Sequence, residues 1–339
     1  GETAIIDGYQ GIVILHPDEE TIARYRHEVI QYRSHAAKLE KLRDLPAESA
    51  DKVRIQLLGN IEFPYEVEQC QKRGSDGIGL YRTEFLFLSR DTEPTEQEQT
   101  AAYTAVATAL QGQPVVMRTI DLGADKMPGI PFPEDEANPF LGLRSIRLAL
   151  KNPEMFRTQL RAILRSSTAG NISIMFPLIA TLLELKHAKM VLREAREDLE
   201  EEGAKFDKDI KVGMMVEVPS AVMMLDHFAE EVDFFSIGTN DLIQYALAVD
   251  RSNKDVAGLY TGSEPSILRL INMSIRTAQA HEVPISMCGQ MCGNPLYTML
   301  LLGLGLRSMS VTPAAIPEIK QVIRRVSVSA CERVAERAL

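Results

Sequence analysis

The chain has 339 residues, of which 45% are hydrophobic and 25% are charged, and its formal net charge is −10. This composition is typical of a globular protein with a large core, and no apolar run reaches the roughly 18 residues that span a bilayer. The acidic balance argues against a nucleic-acid partner, although a few converging arginines can still bind a small anion.

The N-terminal segment predicts a β-hairpin followed by a long polar helix. Two short apolar runs flank residues 7–11 within the segment 4–17, a pattern typical of a hairpin. Residues 18–42 are rich in Glu, Arg, Lys and Ala, with Asp18 placed to cap the helix and Leu45-Pro46 placed to end it. Because this helix carries few large apolar residues, we expect a solvated linker.

From residue 52 onward, strand-like and helix-like segments alternate, which predicts a (β/α)8 barrel of α/β class. Such a barrel needs roughly 250 residues, so one barrel with a small appendage fits the length. The alternative is an open doubly wound sheet, which usually carries a glycine-rich phosphate loop after its first strand, and residues 59–62 lack one. The eight predicted strands are 53–61, 77–86, 114–121, 172–179, 211–218, 233–239, 284–290 and 308–312, and the predicted helices between them include 156–166, 182–201, 220–229 and 266–281.

Three predicted strands each end in a polar or reactive side chain. Glu217 ends one apolar run, Asn240-Asp241 follows the next, and Cys288 ends a third. The C-terminal ends of the strands in a closed parallel barrel meet on one face, so we expect these side chains to lie close together. A lone carboxylate at such a place is ordinarily a helix cap or an ion-pair partner. Two carboxylates on adjacent strands that face arginines suit a Mg²⁺ bound together with a ligand phosphate.

Two arginines lie near the C-terminal ends of the second and third predicted strands, Arg82 and Arg118. An arginine inside a parallel strand is costly unless it is paired or faces a ligand. Structural ion pairs, Arg82 with Glu84 and Arg118 with Asp121, are one explanation. Because the two arginines lie on adjacent strands, we favour an anion site, where guanidinium groups bind phosphate or carboxylate in a bidentate fork.

The four cysteines are too few for a disulfide framework in a chain of this length, and none forms the CxxC spacing of zinc or redox sites. We therefore expect reduced thiols and a cytoplasmic protein, without a signal peptide. Cys288, next to Gly289, is either a buried small hydrophobe or a candidate acid or nucleophile, whereas we expect Cys292 to serve packing. None of the six histidines lies at the C-terminal end of a predicted strand.

Five segments, taken in order, resemble a known family: 77–87, 118–126, 138–144, 233–242 and 288–289. They are similar to the phosphoenolpyruvate (PEP)-utilising enzymes, and most to the C-terminal PEP-binding domain of enzyme I of the bacterial sugar phosphotransferase system. The resemblance covers nearly the whole chain. It implies a (β/α)8 TIM barrel that binds PEP and Mg²⁺ at its C-terminal face and forms a homodimer.

The resemblance also implies a role for each matching residue. Cys288 would be the general acid that protonates the enolate carbon to give pyruvate, and Glu217 and Asp241 would ligate Mg²⁺. Three arginines would hold the phosphoryl group during transfer, namely Arg82, Arg118 and Arg251. The full set of residues that would bind PEP is Arg82, Arg118, Lys126, Arg144, Asn240, Asp241 and Arg251.

In the family, PEP gives its phosphoryl group to a histidine on a separate swivelling domain, within a Gly-Gly-x-x-Ser-His-like motif. Ser34-His35 shares two letters of that motif but lacks the glycines and lies in a helical context. We therefore expect residues 1–17 to be a remnant of the swivelling domain, 18–48 the linker helix, and 49–339 the PEP-binding and dimerisation barrel. The chain would then be a fragment that reaches its phosphocarrier protein only through missing N-terminal domains.

Two alternatives within and beside this family stay open at the level of sequence. One is a domain of a pyruvate phosphate dikinase or PEP synthase, and the other is a regulatory PEP-sensing module. Two positions also depart from the family pattern, because Gln290 and Asn294 stand where it usually has carboxylates. Losing a carboxylate near Cys288 would alter the environment of the thiol, so we expect these departures to affect proton transfer more than PEP binding.

Overall fold

A computed structural model describes residues 3–8, 11–88, 90, 92–123 and 138–339, except for the side chains of residues 33, 35 and 36. The chain divides into two compact units, Gly1–Leu45 and Pro46–Leu339. No helix among the described residues is long and apolar enough to cross a membrane.

The first unit contains the predicted hairpin and helix. Strands β1 (Ala4–Asp7) and β2 (Ile12–Leu15) pair antiparallel. Helix α1 (Glu19–Glu40) begins where predicted, since the Asp18 carboxylate accepts a hydrogen bond of 2.8 Å from the Thr21 amide. His35 lies within α1, but its side chain is outside the described part. The assignment of these segments to a swivelling domain and a linker stays a prediction.

The second unit is a closed barrel of eight parallel strands, which confirms the predicted fold. Each strand pairs with the next along the chain, and the last strand closes the barrel against the first, with Met309 opposite Leu57. The predicted strands are confirmed in number and order. They are β3 (Gln56–Ile61), β4 (Ile78–Arg82), β5 (Val115–Arg118), β6 (Ile172–Phe176), β7 (Lys211–Val216), β8 (Phe234–Gly238), β9 (Ile285–Cys288) and β10 (Ser308–Val311).

In the described part of the chain, the helices between the strands surround the barrel. The predicted helix 220–229 is in fact two short helices, because the backbone leaves the helical region at Met224 (φ −114°, ψ 19°). The helices are α2 (Glu66–Lys72), α3 (Glu96–Ala109), α4 (Ser145–Lys151), α5 (Pro153–Ser166), α6 (Leu182–Glu201), α7 (Pro219–Met223), α8 (Leu225–Ala229), α9 (Thr239–Leu247), α10 (Pro265–Ala280), α11 (Pro295–Gly303), α12 (Ile316–Arg325) and α13 (Val328–Ala338).

Several strands are shorter than predicted at their C-terminal ends, and the reasons are local. Strand β4 stops at Arg82 because Thr83–Leu86 turns into a 3-10 helix. Strand β6 stops at Phe176, before Pro177 and before Leu178, whose φ of 52° lies in the left-handed region. These irregular ends set the directions in which the side chains beyond each strand point.

Candidate active site

A cavity of about 950 Å³ lies at the C-terminal ends of the barrel strands. It brings together residues that lie far apart in the chain, from Asn60 to Thr312, as expected for the C-terminal face of a barrel. Eight of the nine predicted site residues line the cavity, namely Arg82, Arg118, Arg144, Glu217, Asn240, Asp241, Arg251 and Cys288. The ninth, Lys126, lies outside the described residues.

Asp121 joins two of the arginines into one buried ion-pair network. Its carboxylate lies 2.8 Å from Arg118 Nη1 and 2.9 Å from Arg144 Nη2, and the latter nitrogen also lies 3.0 Å from Asp241 Oδ2. Glu84 pairs with the second terminal nitrogen of Arg118. All these side chains are at most 10% exposed. The network therefore fixes both guanidinium groups before any ligand arrives.

The same network keeps the two arginines and Asp121 charged. Burial lowers the pKa of Arg118, but the carboxylates of Asp121 and Glu84 outweigh it and raise that pKa overall. Burial raises the pKa of Asp121, yet Arg118 and Arg144 outweigh it and hold that pKa at about 2. The two arginines thus remain cationic in the cavity at any physiological pH.

One of the two ion pairs offered as a structural explanation is wrong. Arg82 pairs with Glu62 at 2.7 Å, not with Glu84. The 3-10 turn that begins at Thr83 breaks the strand alternation, so Glu84 reaches Arg118 instead. The other pair, Arg118 with Asp121, is confirmed. The Arg82 side chain is 30% exposed, so it is more accessible from the cavity than the buried Arg118.

Glu217 is held by an unusual backbone conformation. The amide of Leu178 donates a hydrogen bond of 2.6 Å to Glu217 Oε1. Leu178 is buried and has φ 52°, a conformation that costs a leucine free energy and that occurs mainly where surroundings enforce it. The other oxygen, Oε2, lies only 2.6 Å from the place where a Cβ at Gly238 would stand, so this position has no room for a side chain.

Glu217 and Asp241 have the properties of a site for a hard divalent cation. Asp241 Oδ1 is buried without a hydrogen-bond partner among the described residues, and Arg251 Nη2 lies 3.7 Å from it. Burial and the neighbouring Asp241 raise the pKa of Glu217 to about 8, a repulsion that a bound cation would relieve. Among the described residues no group of three His, Cys, Asp or Glu side chains could hold a metal ion alone. Two carboxylates completed by water and a ligand phosphate suit Mg²⁺.

Cys288 lies at the end of β9 and is 3% exposed. Burial raises the pKa of its thiol to about 11, and the Arg118 charge offsets only part of that rise. Ser236 Oγ lies 3.8 Å from the Cys288 sulfur, within reach of a weak hydrogen bond. The sulfur therefore carries its proton at neutral pH, which suits a proton donor better than a resting nucleophile. Cys292 is buried and donates to the Met287 carbonyl at 3.4 Å.

The start of α9 is fixed against the loop after Cys288. Asn240 lines the cavity, and its Oδ1 accepts a hydrogen bond of 2.9 Å from the Gln290 amide. Gly289 has φ 102°, and a Cβ there would lie 2.2 Å from Thr239 Oγ1, so only glycine fits. Of the two departures from the family pattern, Gln290 lines the cavity, whereas Asn294 caps α11 through Leu296 N at 3.0 Å.

Sequence reasoning named Asp121 as a partner of Arg118, but it missed Glu62 and assigned Glu84 to the wrong arginine. Glu62 follows β3 directly, Glu84 lies two residues after β4, and Asp121 lies three residues after β5. The rule that singled out Glu217, a carboxylate at a strand end, would also have singled out Glu62 had it been applied to the first half of the barrel.

Comparison with known proteins identifies the family. The sequence matches the family described as PEP-utilising enzyme, PEP-binding domain, over residues 36–328. The chain belongs to this family. It is 47% identical over 328 residues to the phosphoenolpyruvate-protein phosphotransferase of Priestia megaterium, covering 96% of this chain and 57% of that protein. It is 46% identical over 340 residues to the protein of the same name from Bacillus subtilis, covering 100% of this chain and 60% of that protein.

This chain therefore spans less than two thirds of the length of these relatives. A solved structure, a citrate lyase from Burkholderia xenovorans, superimposes with a TM-score of 0.51 at 16% identity. That superposition covers 83% of this chain and 79% of the citrate lyase. At this identity the likeness concerns the barrel fold alone.

Proposed function

We propose that this chain is the PEP-binding catalytic domain of a phosphoenolpyruvate–protein phosphotransferase. The observation that carries the proposal is the convergence of buried arginines, two carboxylates and a protonated thiol on one cavity. The relatives, which are phosphoenolpyruvate-protein phosphotransferases by name, support this function over the dikinase alternative.

The arginines account for the binding and transfer of the phosphoryl group. Phosphoryl transfer depends mainly on positioning and charge neutralisation, and fixed guanidinium groups supply both. Arg82, Arg118 and Arg251 would contact the phosphoryl oxygens. Supporting contacts would come from Arg144, the side chain of Asn240 and, outside the described part, Lys126.

Mg²⁺ is the cofactor that the carboxylates fit. Glu217 and Asp241 would hold it, and the ion would then offset negative charge on the phosphoryl group and on the enolate oxygens. Asp241 Oδ1, which has no hydrogen-bond partner among the described residues, would gain one in such an ion.

Cys288 would complete the reaction by protonating the enolate. The Cys288 proton moves to C3, the electrons of the carbon–carbon double bond form the new C–H bond, and the enolate oxygen becomes the keto group of pyruvate. The thiolate that remains lies near the Arg118 charge and within reach of the Ser236 hydroxyl, both of which favour it.

The phosphoryl acceptor would be a histidine on another domain. In the cytoplasm, that domain would pass the group to a phosphocarrier protein that serves sugar uptake. No histidine of the described residues lines the cavity, which supports an acceptor from outside it. A homodimer through the barrel also belongs to this proposal, as the family resemblance implies.

Calorimetric titration of PEP into the chain, with and without Mg²⁺, tests the proposal. We expect Mg²⁺-dependent binding that weakens at least about tenfold in Arg251→Ala, since a charged hydrogen bond contributes about 1.5–3 kcal/mol. Arg251 is the suitable target because its side chain is 35% exposed, whereas removing Arg118 would strand two buried carboxylates. Arg193→Ala, on the exposed side of α6, is the control and should bind normally. An intact chain that does not bind PEP would refute the proposal.

A further inference from the structure

A buried polar network lies between the barrel and its outer helices, behind the strands that carry Arg82 and Arg118. Each of its side chains is at most 1% exposed. Polar groups in such a layer are costly unless every one is hydrogen-bonded, and a fully bonded network makes its surroundings rigid. We call it the Gln159 network, and its side chains are Thr83, Gln99, Tyr103 and Gln159.

Gln159, on α5, joins the two arginine-bearing segments. Its Oε1 accepts a hydrogen bond of 2.9 Å from the amide of Ile120, and its Nε2 donates one of 2.9 Å to Thr83 Oγ1. Thr83 Oγ1 in turn donates to the carbonyl of Arg118 at 2.6 Å. One amide therefore links the residue after Arg82 to the backbone on both sides of Thr119.

The outer half of the network continues from that amide to Tyr103 and Gln99. Gln159 Nε2 also lies 3.3 Å from the hydroxyl of Tyr103, which donates to Gln99 Oε1 at 3.0 Å. Gln99 Nε2 then donates to the carbonyl of Pro94 at 2.9 Å. Because Gln159 uses both amide hydrogens and its oxygen, a flipped side chain would lose all three contacts.

We propose that Gln159 is a positioning residue for PEP binding, which holds Arg82 and Arg118 in register through Thr83 and Ile120. It is not one of the residues that line the cavity, so it would act only through the arginines. Bidentate recognition of a phosphoryl group tolerates little displacement, and an apolar side chain at 159 would leave the Ile120 amide buried and unpaired. The two segments would then shift to find other partners. This inference rests on the proposed function.

The test compares two variants of the full chain that break different halves of the network. Gln159→Met removes the contacts to both arginine-bearing segments, whereas Tyr103→Phe removes only the outer contacts. We expect PEP affinity in the presence of Mg²⁺ to fall about tenfold in Gln159→Met and to stay within about twofold of the original chain in Tyr103→Phe. Both variants should unfold at lower temperature, so thermal unfolding measures the structural effect separately.

Two results would overturn the inference. One is a Gln159→Met variant that is less stable but binds PEP normally, and the other is a Tyr103→Phe variant that loses as much affinity as Gln159→Met. If Gln159→Met does not fold, Thr83→Val removes the link through Thr83 with little change in shape, and normal PEP binding by that variant would reject the role. Failure of the unmodified chain to bind PEP would reject the proposed function instead, so the two failures are distinguishable.

Discussion

Cys288 illustrates how the barrel sets the chemistry of a single residue. A thiol is a proton donor only while it keeps its proton, and burial ensures this by raising its pKa to about 11. Arg118 acts in the opposite sense, and this favours the thiolate that forms once the proton has left. The same residue is thus suited to give a proton to the enolate and to take it back in the reverse direction.

We predict that Cys288→Ala abolishes the exchange of pyruvate C3 protons with solvent deuterium while PEP still binds. Loss of a general acid or base typically costs about 10²–10⁴-fold in rate, and the arginines and carboxylates that we propose to bind PEP would remain. Proton NMR of the pyruvate methyl group in deuterated buffer with Mg²⁺ measures the exchange without any phosphoryl acceptor. Cys292→Ala is the matched control and should exchange normally. Undiminished exchange in Cys288→Ala would assign the proton transfer to another group.

In the loop between β6 and α6, a strained backbone conformation places a hydrogen-bond donor against Glu217. Leu178 in its left-handed conformation aims its amide at Glu217, and Ser145 (φ 56°) follows Arg144 in the same kind of conformation. Among the described non-glycine residues with such φ values, these two are the buried ones. Both stand beside the carboxylates of the cavity. Strain concentrated at a site is typical of preorganisation.

We predict that Leu178→Val destabilises the chain more than Ile179→Val does. Leu178 and Ile179 are adjacent and buried, and each substitution removes one carbon, which costs about 1 kcal/mol of stability. Valine at 178 costs about 1–3 kcal/mol more, because a β-branched residue is strained at φ 52°. Urea unfolding measures the difference, and calorimetry should show a weaker Mg²⁺ dependence of PEP binding for Leu178→Val alone. Equal stabilities of the two variants would mean that the conformation at 178 carries no strain.

The elements themselves were predictable from sequence, and their irregular ends were not. Alternation of apolar runs with amphipathic helices gave eight strands in the correct order, and the barrel rule then placed Glu217, Asp241 and Cys288 together. The pairing of Arg82 with Glu62 rather than with Glu84 could not be predicted, because a 3-10 turn at Thr83 redirects the next side chains. Such turns depend on tertiary contacts that periodicity does not contain.

At the scale of the whole molecule, an acidic chain concentrates buried charge of both signs in one cavity. The net charge is −10, yet four arginines line the cavity with the carboxylates that balance them. Each buried group whose pKa differs from its ordinary value links folding stability to pH. Glu217 and Asp121 do so with opposite signs, since the pKa of Glu217 is raised to about 8 and that of Asp121 is lowered to about 2.

We predict that the metal-free chain becomes less stable as pH rises from 5 to 8.5. Between the ordinary pKa of 4.5 and the raised value of about 8, folded Glu217 binds a proton that the unfolded chain has released, so stability falls with rising pH. The loss should be on the order of a few kcal/mol. The Asp121 contribution is constant in this window and is lost only as pH falls below about 4, towards 2.

Denaturant unfolding in EDTA across this pH range measures the effect, and Glu217→Gln isolates it. The glutamine keeps an oxygen to accept the Leu178 amide but has no proton to lose, so the variant should show a flatter pH dependence and exceed the original chain in stability near pH 8. Glu201→Gln, at the exposed end of α6, should keep the original slope. If Glu217→Gln has the slope of the original chain, Glu217 is already ionised in the folded state at pH 5. Its charge would then be stabilised by Arg118 more strongly than its burial and its carboxylate neighbours oppose it.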